Sequence, residues 1–370
     1  MKTNERLYLD VHVLQTVPPS CVNRDDTGSP KSAVYGGANR ARVSSQSWKR
    51  AMRVIFEEII PQDSLGKRTK RIVSMVEKEI KKLGGIEKTE EAAINILTAA
   101  GLKIKSAEKG ADALFFMSVA QAKALAELAT EDPDAIKSTP STEAKKKAKQ
   151  ALKESPGIEI ALFGRMVADD PSLNTDACAQ VAHSISTHKV NREYDYFTAV
   201  DDLSPEDNAG AGHIGTVEFN SATLYRYATI AVHELHRYLE EETAEAVKAF
   251  LNAFVCSMPT GKQNTFANRT LPDAVFVTLR NDQPINLVGA FERPVQSGKN
   301  NDEGYVEASA KALVKHANDV HKNWLGSPVL SLVIGESLKE LAGETKPLKD
   351  VLDTLKEELQ ERLRTGGDNQ

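Results

Sequence analysis

Apolar and polar residues alternate at the start of the chain, where Leu7, Leu9, Val11 and Val13 interleave with Tyr8, Asp10 and His12. A period of two predicts a strand with one buried and one wet face. Breakers then crowd the text, with Pro18, Pro19, Gly28, Pro30, Gly36 and Gly37, so 15–43 reads as a long irregular segment. A loop of that length in a compact domain points to function rather than connection. Ser45 or Ser47 can cap a helix that runs to Ile60 and stops at Pro61.

Residues 62–155 change character. Ala, Lys, Glu and Leu dominate with helical spacing, as in Ala122, Leu125, Ala126, Leu128 and Ala129, and strand signals vanish. This predicts a helical insertion. Strand-like text returns at Ile158–Phe163 and around Ala179–Val190, and 191–218, rich in Gly and Asp, reads as a protruding loop or ribbon. A long alternation follows, Leu224, Arg226, Ala228, Ile230 and Val232 against Tyr225, Tyr227 and Thr229. Val247, Phe250, Leu251, Phe254 and Val255 share one helix face. Strands at Ala274–Leu279 and Ile285–Phe291 complete the sheet, and helices around Val306–Trp324 and Leu348–Leu363 close the chain. The fold class is α+β. Without its insertions the order approximates the split βαβ, ferredoxin-like plan that RRM domains use.

At 370 residues and 41% hydrophobic content the chain can bury a core, which excludes wholesale disorder. Cys21, Cys178 and Cys256 stand far apart, so neither a disulfide framework nor a cysteine zinc cluster is available. No apolar h-region opens the chain and no stretch approaches a membrane span, so a cytoplasmic address with no membrane partner is expected.

Net charge is −5, yet charge is segregated. From Thr27 to Phe56 no acid occurs beside Lys31, Arg40, Arg42, Lys49, Arg50 and Arg53. A second run holds Lys145, Lys146, Lys147, Lys149 and Lys153, which a solvated helix face explains as readily as a ligand does. Acid gathers instead at 191–218, in Glu193, Asp195, Asp201, Asp202, Glu206, Asp207 and Glu218. A local cationic segment in an acidic whole suits a polyanion site without general polycation behaviour.

Catalytic signatures are missing. His233 and His236 flank Glu234 as H-E-x-H rather than H-E-x-x-H, and His183 and His188 fall on opposite faces of a strand. Thr260-Gly261-Lys262-Gln263 resembles half a Walker A but lacks its upstream glycine and its final hydroxyl. No metal set and no cofactor motif is legible. Asp25 and Asp26 remain the one carboxylate pair that could hold Mg²⁺ beside a phosphate, against the ordinary reading of a turn.

The constructive signal lies in Arg42-Val43-Ser44-Ser45-Gln46-Ser47-Trp48-Lys49-Arg50-Ala51-Met52-Arg53, where hydroxyls and an amide open a helix and cations follow within two turns. Free N–H groups and the positive dipole end suit a phosphate, and Lys49 with Arg53 share a face. Such a grouping grips sugar-phosphate without reading bases.

This text, together with Ser20–Asp26, Tyr35-Gly36-Gly37, Ala161–Met166, His183–His188, Tyr196–Leu203, His213-Ile214-Gly215, Phe219 and Tyr225–Ala228, closely resembles the CasC-type backbone subunit of the type I-E CRISPR Cascade complex, in the RAMP superfamily. The resemblance spans most of the chain and is weakest in the helical insertion and the C-terminal tail.

The resemblance implies a non-catalytic subunit, without cofactor, that polymerises with copies of itself along a CRISPR guide RNA. Other Cascade subunits join it, target DNA pairs with the guide, and a recruited helicase–nuclease does the cutting. It divides the chain into an RRM-like palm (1–57, 158–190 and 220–370), helical fingers (58–157) and a thumb (191–219). By likeness Asn23, Arg24, Lys31, Arg42, Ser44, Gln46, Lys49 and Arg50 hold guide phosphates, and Lys262 and Gln263 add backbone contacts. Met166, Phe197, Thr198, His213 and Ile214 wedge against a displaced base, and Lys145, Lys146, Lys147, Lys149 and Lys153 face DNA. Ala38-Asn39 and Asn264 stand where cations are expected. The alternative is a metal-dependent endoribonuclease using Asp25 or Asp26, as in backbone subunits of type III complexes.

Overall fold

The computed structural model describes residues 6–106, 108, 110–154, 156–167, 170–199, 213–298 and 303–365. Strands β1 (Tyr8–Ser20), β2 (Ser32–Tyr35) and β3 (Ala38–Val43) lead into α1 (Ser45–Ile59). There follow β4 (Gly66–Thr69), α2 (Ile72–Leu83), α3 (Thr89–Ala99), β5 (Ile104–Ser106), β6 (Gly110–Ala111), β7 (Phe115–Ser118), α4 (Val119–Glu131), α5 (Thr142–Glu154) and α6 (Gly157–Phe163). Next come β8 (Ala179–Val181), β9 (Ser184–Ser186), β10 (Glu193–Ala199), β11 (His213–Ala231), α7 (Val232–Leu239) and α8 (Thr243–Cys256). The chain ends with α9 (Gln263–Phe266), β12 (Ala274–Arg280), α10 (Tyr305–Val320), β13 (Leu330–Ile334) and α11 (Leu348–Thr365). Helix and antiparallel sheet mix throughout, as α+β predicts.

Packing divides the chain into two compact units, one of Ile55–Gln180 with Ile230–Ala249, the other of Glu5–Val54, Val181–Thr229 and Phe250–Gln370. The second holds a sheet ordered β13-β12-β1-β11-β9-β3-β2. β1 lies antiparallel to β12, from Tyr8 opposite Arg280 to Leu14 opposite Ala274. On one face Phe276, Tyr225, Tyr227 and Leu14 pack under Phe291, Leu313 and Leu338. Trp48 and Phe254 sandwich the buried guanidinium of Arg226, at 3.7 and 4.6 Å from its carbon. That guanidinium donates to Gln15 Oε1 at 2.6 Å and to the Phe254 carbonyl.

Because β1 is central, both its faces are covered, and the expected wet face is lost: Asp10 and His12 are as buried as Leu9, Val11 and Val13, and Tyr8 is half-buried. Each polar side chain is partnered, as burial requires. Asp10 accepts from Tyr227 Oη (2.8 Å) and from the Ile285 N–H (2.9 Å), while His12 Nδ1 lies 2.9 Å from Tyr225 Oη.

Three further expectations are corrected. Residues 15–43 are mostly ordered strand, since β1 continues through Pro18 and Pro19 and a hairpin follows. Ile285–Phe291 is not a strand: Leu287–Phe291 forms a 3-10 turn, and β13, which lacked a strong alternation, completes the sheet edge against β12. Ile158–Phe163 belongs to a helix, α6, buried on every side; a short apolar run looks the same in either state.

The first unit has a helical core built from Ile72, Val76, Ile96, Leu97, Leu125 and Leu152. Strand text does not vanish there: β4 pairs with β7 and β5 with β6, in ladders too short to leave a periodic signal. Buried Arg165 ties this unit together, donating to the carbonyls of Phe116, Leu152 and Leu173 and to Gln121 Oε1. Among the described residues no helix is long and apolar enough to cross a membrane.

Candidate nucleic-acid interface

Between β1 and β2 the chain reverses at Asp25. Its Oδ1 accepts from the Thr27 hydroxyl (2.7 Å) and from the N–H groups of Thr27 and Ser29 (3.0 Å each). The Thr27 hydroxyl foremost, helped by those N–H groups, holds the carboxyl below its usual range. Asp25 is thus a turn former. The turn sets Arg24 opposite Pro30 and lets the Lys31 N–H donate to the Asn23 carbonyl at 2.9 Å.

Asn23 links this turn to α1. Its Oδ1 accepts the Ser44 N–H at 2.9 Å, and Ser44, not Ser45 or Ser47, caps the helix, accepting the N–H groups of Ser47 and Trp48. The Ser44 side chain is buried and donates to Ser47 Oγ at 3.2 Å, so its hydroxyl serves the fold first. Trp48 turns inward and donates its indole N–H to Ser184 Oγ at 2.9 Å. Helical geometry then leaves Gln46 and Arg50 exposed and Lys49 and Arg53 half-exposed.

Asn23, Lys31 and Arg42 line one pocket with Val22, Val43 and Asn220. Arg42 is held by two bonds, Nε to the Ser32 carbonyl (3.2 Å) and a terminal nitrogen to His183 Nδ1 (3.1 Å). Arg40 departs from the cationic reading of this segment. It is fully buried and donates to the carbonyls of Ser186, Thr187, Phe291 and Glu292, because the hairpin folds that side of β3 inward.

A third segment arrives from far along the chain. A Cβ on Gly261 would stand 2.0 Å from the Val22 carbonyl oxygen and 2.8 Å from that of Cys21, so only glycine lets this loop sit there. Lys262, next in line, adopts a left-handed backbone (φ +46°) and starts α9 with Gln263. Burial pushes the Cys21 thiol up, and the positive charges of Arg24 and Lys262 pull it back, which puts both cations near that sulfur. Thus 21–31, 42–50 and 261–263 converge, and among the described residues no group of three or more metal-ligating side chains occurs.

The remaining predicted residues stand apart. β10 pairs with β11 as a ribbon with Phe197 opposite Gly215 and Thr198 opposite Ile214. Every residue of β10 is exposed. Tyr194 and Tyr196, 65% and 63% exposed, share a face that the sequence reading passed over although E-Y-D-Y alternates plainly. Asp201, Asp202, Glu206 and Asp207, and the side chains of His213 and Ile214, lie outside the described residues. Met166 is 85% exposed and belongs to the other unit. So does α5, whose lysines are unequal. Lys147 and Lys149 pair with Asp132 and Asp170 at 3.2 and 2.7 Å, whereas Lys145, Lys146 and Lys153 project to solvent.

Comparison with known proteins adds to this geometry. The model of a family described as CT1975-like protein matches residues 9–361. The chain belongs to that family. Among solved structures it is similar to a chain described as "CRISPR RNA-guided surveillance complex, pre-nicking", with 32% identity and a TM-score of 0.78 over 95% of this chain and 100% of that one. A second, described as "CRISPR RNA-guided surveillance complex", shares 27% identity and a TM-score of 0.60 over 94% and 99%. A search of curated proteins found no match.

Proposed function

We propose that this chain is a non-catalytic backbone subunit of a type I-E CRISPR surveillance complex, one that oligomerises along the guide RNA and presents it to target DNA. The observation that carries this is the convergence of three cation-bearing segments: 21–31 and 42–50 share one pocket beside the start of α1, and 261–263 packs against the backbone of Cys21 and Val22. Such a site suits a phosphodiester backbone, leaving sequence to base pairing. Similarity to chains of RNA-guided surveillance complexes supports the same reading.

The strand order β12-β1-β11-β9, with α1 and α8 as crossovers, supports an RRM-like palm. The ribbon of β10 and β11 is the thumb in this reading. Acidic as it is, it serves bases rather than phosphates, and Phe197 is its wedge. Residues 58–157 are the fingers, and Lys145, Lys146 and Lys153 are the part of the basic helix available to DNA. The alternative, a metal-dependent endoribonuclease using Asp25 or Asp26, is less favoured in this reading, because Asp25 Oδ1 is engaged in its turn.

The test is a salt-titrated binding isotherm for two unrelated single-stranded RNAs, with wild type and with Lys49→Ala/Arg50→Ala. Binding should be steep in salt and blind to sequence. The variant should weaken both RNAs equally and flatten the slope by about 0.7 per lost contact. Loss confined to one sequence would refute backbone recognition. Mg²⁺-dependent cleavage abolished by Asp25→Ala would favour the nuclease instead.

A further inference from the structure

Arg42 and His183 are 141 positions apart in sequence, and no local pattern joins them. The tertiary structure sets them nitrogen to nitrogen, 3.1 Å apart. A guanidinium only donates, so His183 Nδ1 is the acceptor and its proton resides on Nε2. His183 is therefore a neutral imidazole in this arrangement, although it is exposed to water.

We infer that His183 is a proton-coupled member of the phosphate site, taking up a proton at Nδ1 when a phosphodiester binds against Arg42 and Lys31. This rests on the RNA-binding reading above and deepens it. Protonation turns Nδ1 into a donor, so the bond from Arg42 must break and that terminal nitrogen is freed, while Nε still reaches the Ser32 carbonyl. Two adjacent cations then stand beside Lys31 at the pocket that Asn23 and Asn220 also line. Alone, that cluster repels itself. An anion between the groups removes the repulsion and accepts from both, so anion and proton favour each other.

The charges that bear on His183 fit this coupling. Partial burial foremost, and then the charges of Arg42 on β3 and Lys31 ahead of β2, disfavour its protonated form and hold the imidazole below its ordinary range. A phosphodiester carries one negative charge per unit and cancels that pressure. By linkage, the proton raises anion affinity by the same factor as the anion raises proton affinity. The neighbouring Ser184 contributes no charge; its hydroxyl accepts the Trp48 indole N–H. The other histidine of this segment, His188, is buried and stacked on Tyr305 at 3.8 Å between ring centroids, so it is no substitute.

The experiment compares the full chain with His183→Asn. The carboxamide oxygen of Asn can stand where Nδ1 stands and accept from Arg42, but it does not titrate. Affinity for a single-stranded RNA is measured at fixed salt from pH 7.5 to 5.5 (a window chosen around the ordinary imidazole range). Wild-type affinity should rise on acidification, by about tenfold for each unit by which RNA raises the imidazole pKa. His183→Asn should show a flatter profile with affinity near wild type at the alkaline end. A second arm follows the His183 ring by NMR, alone, with the RNA and with inorganic phosphate. A pKa raised by the RNA supports the proposal. A pKa raised by inorganic phosphate alone would show a free-anion site and overturn it. Identical pH profiles for the two proteins, with RNA bound, would overturn the proton coupling and leave the RNA-binding reading standing. No RNA binding at any pH would remove both.

Discussion

The ring of Phe197 lies over Gly215, its register partner across the ribbon, so closely that a Cβ on Gly215 would fall 2.4 Å from the ring. The missing side chain on β11 is what gives Phe197 a flat bed while leaving it 41% exposed. A wedge needs both properties: support from below and a free face above. Ordinary cross-strand packing would ask only for the first.

Gly215→Ala therefore displaces the Phe197 ring without altering its chemistry. Under the proposed function it should leave overall RNA affinity unchanged and reproduce whatever Phe197→Ala does to the pattern of exposed bases. Chemical probing of bound RNA is the readout. An unchanged pattern in both variants would mean that Phe197 only packs.

Gly261→Ala acts on the other side of the site. The Val22 carbonyl leaves no room for a methyl group, so the 260–263 loop must shift. A cost of about 1–3 kcal/mol is expected in denaturant unfolding. RNA affinity should fall at least as far as in Lys262→Ala, because Lys262 and Gln263 move together. A variant that binds like wild type would take 261–263 out of the interface.

Asp10 and His12, two residues apart on β1, give stability opposite dependences on pH. Burial foremost raises the Asp10 carboxyl to about 6, so the folded state binds its proton first, and stability falls as pH rises from 3.8 to about 6. Burial likewise lowers His12 to about 3, so the unfolded state binds that proton first, and stability falls as pH drops from 6.5 toward 3. Between about pH 4 and 6 the slopes oppose each other. Asp10→Asn removes one slope and should leave a protein that weakens steadily on acidification through that range. His12→Phe keeps the aromatic packing and should do the reverse, with about 3 kcal/mol of Asp10 penalty appearing as pH rises. Urea midpoints across pH 4–7 for the three proteins decide it; parallel curves would contradict the assignment.

The lysines of α5 should divide into two groups. Lys145→Ala/Lys146→Ala/Lys153→Ala is expected to weaken duplex DNA binding and flatten its salt slope by about 0.9 per lost contact. Lys147→Ala/Lys149→Ala, whose ammonium groups already face Asp132 and Asp170, should do so less. Equal effects would mean that those ion pairs open for DNA.

Much of the fold could be read from local pattern because local pattern is what produced it. α1, α8, α10, α11 and β12 stand where amphipathic spacing puts them, within a few residues, and β1 and β11 contain their alternating stretches but run well beyond them. Misreadings fell on segments whose state depends on neighbours, such as α6, where a six-residue run, apolar but for Glu159, is buried all round. The wet face expected for β1 failed for a related reason. Asp10 and His12 look like surface residues until the neighbouring strand β11 brings Tyr227 and Tyr225 to them across the sheet.

The site divides in the same way. Its cationic segment and its helix cap are local features, so the acid-free stretch and the cluster of hydroxyls announced them. Sequence alone determined that cations and helix-start hydroxyls gather at 42–53, where the polyanion site is proposed, since charge and helix-start chemistry are written residue by residue. Tertiary structure decided which of those cations are available to such a site. It buried Arg40 beneath four carbonyls, tied Arg42 to His183, brought Lys262 to Cys21 through one glycine, and engaged two lysines of α5 with carboxylates. Side-chain charge is a property of the residue, but its availability depends on what the fold places within hydrogen-bond reach, and those partners come from anywhere in the chain.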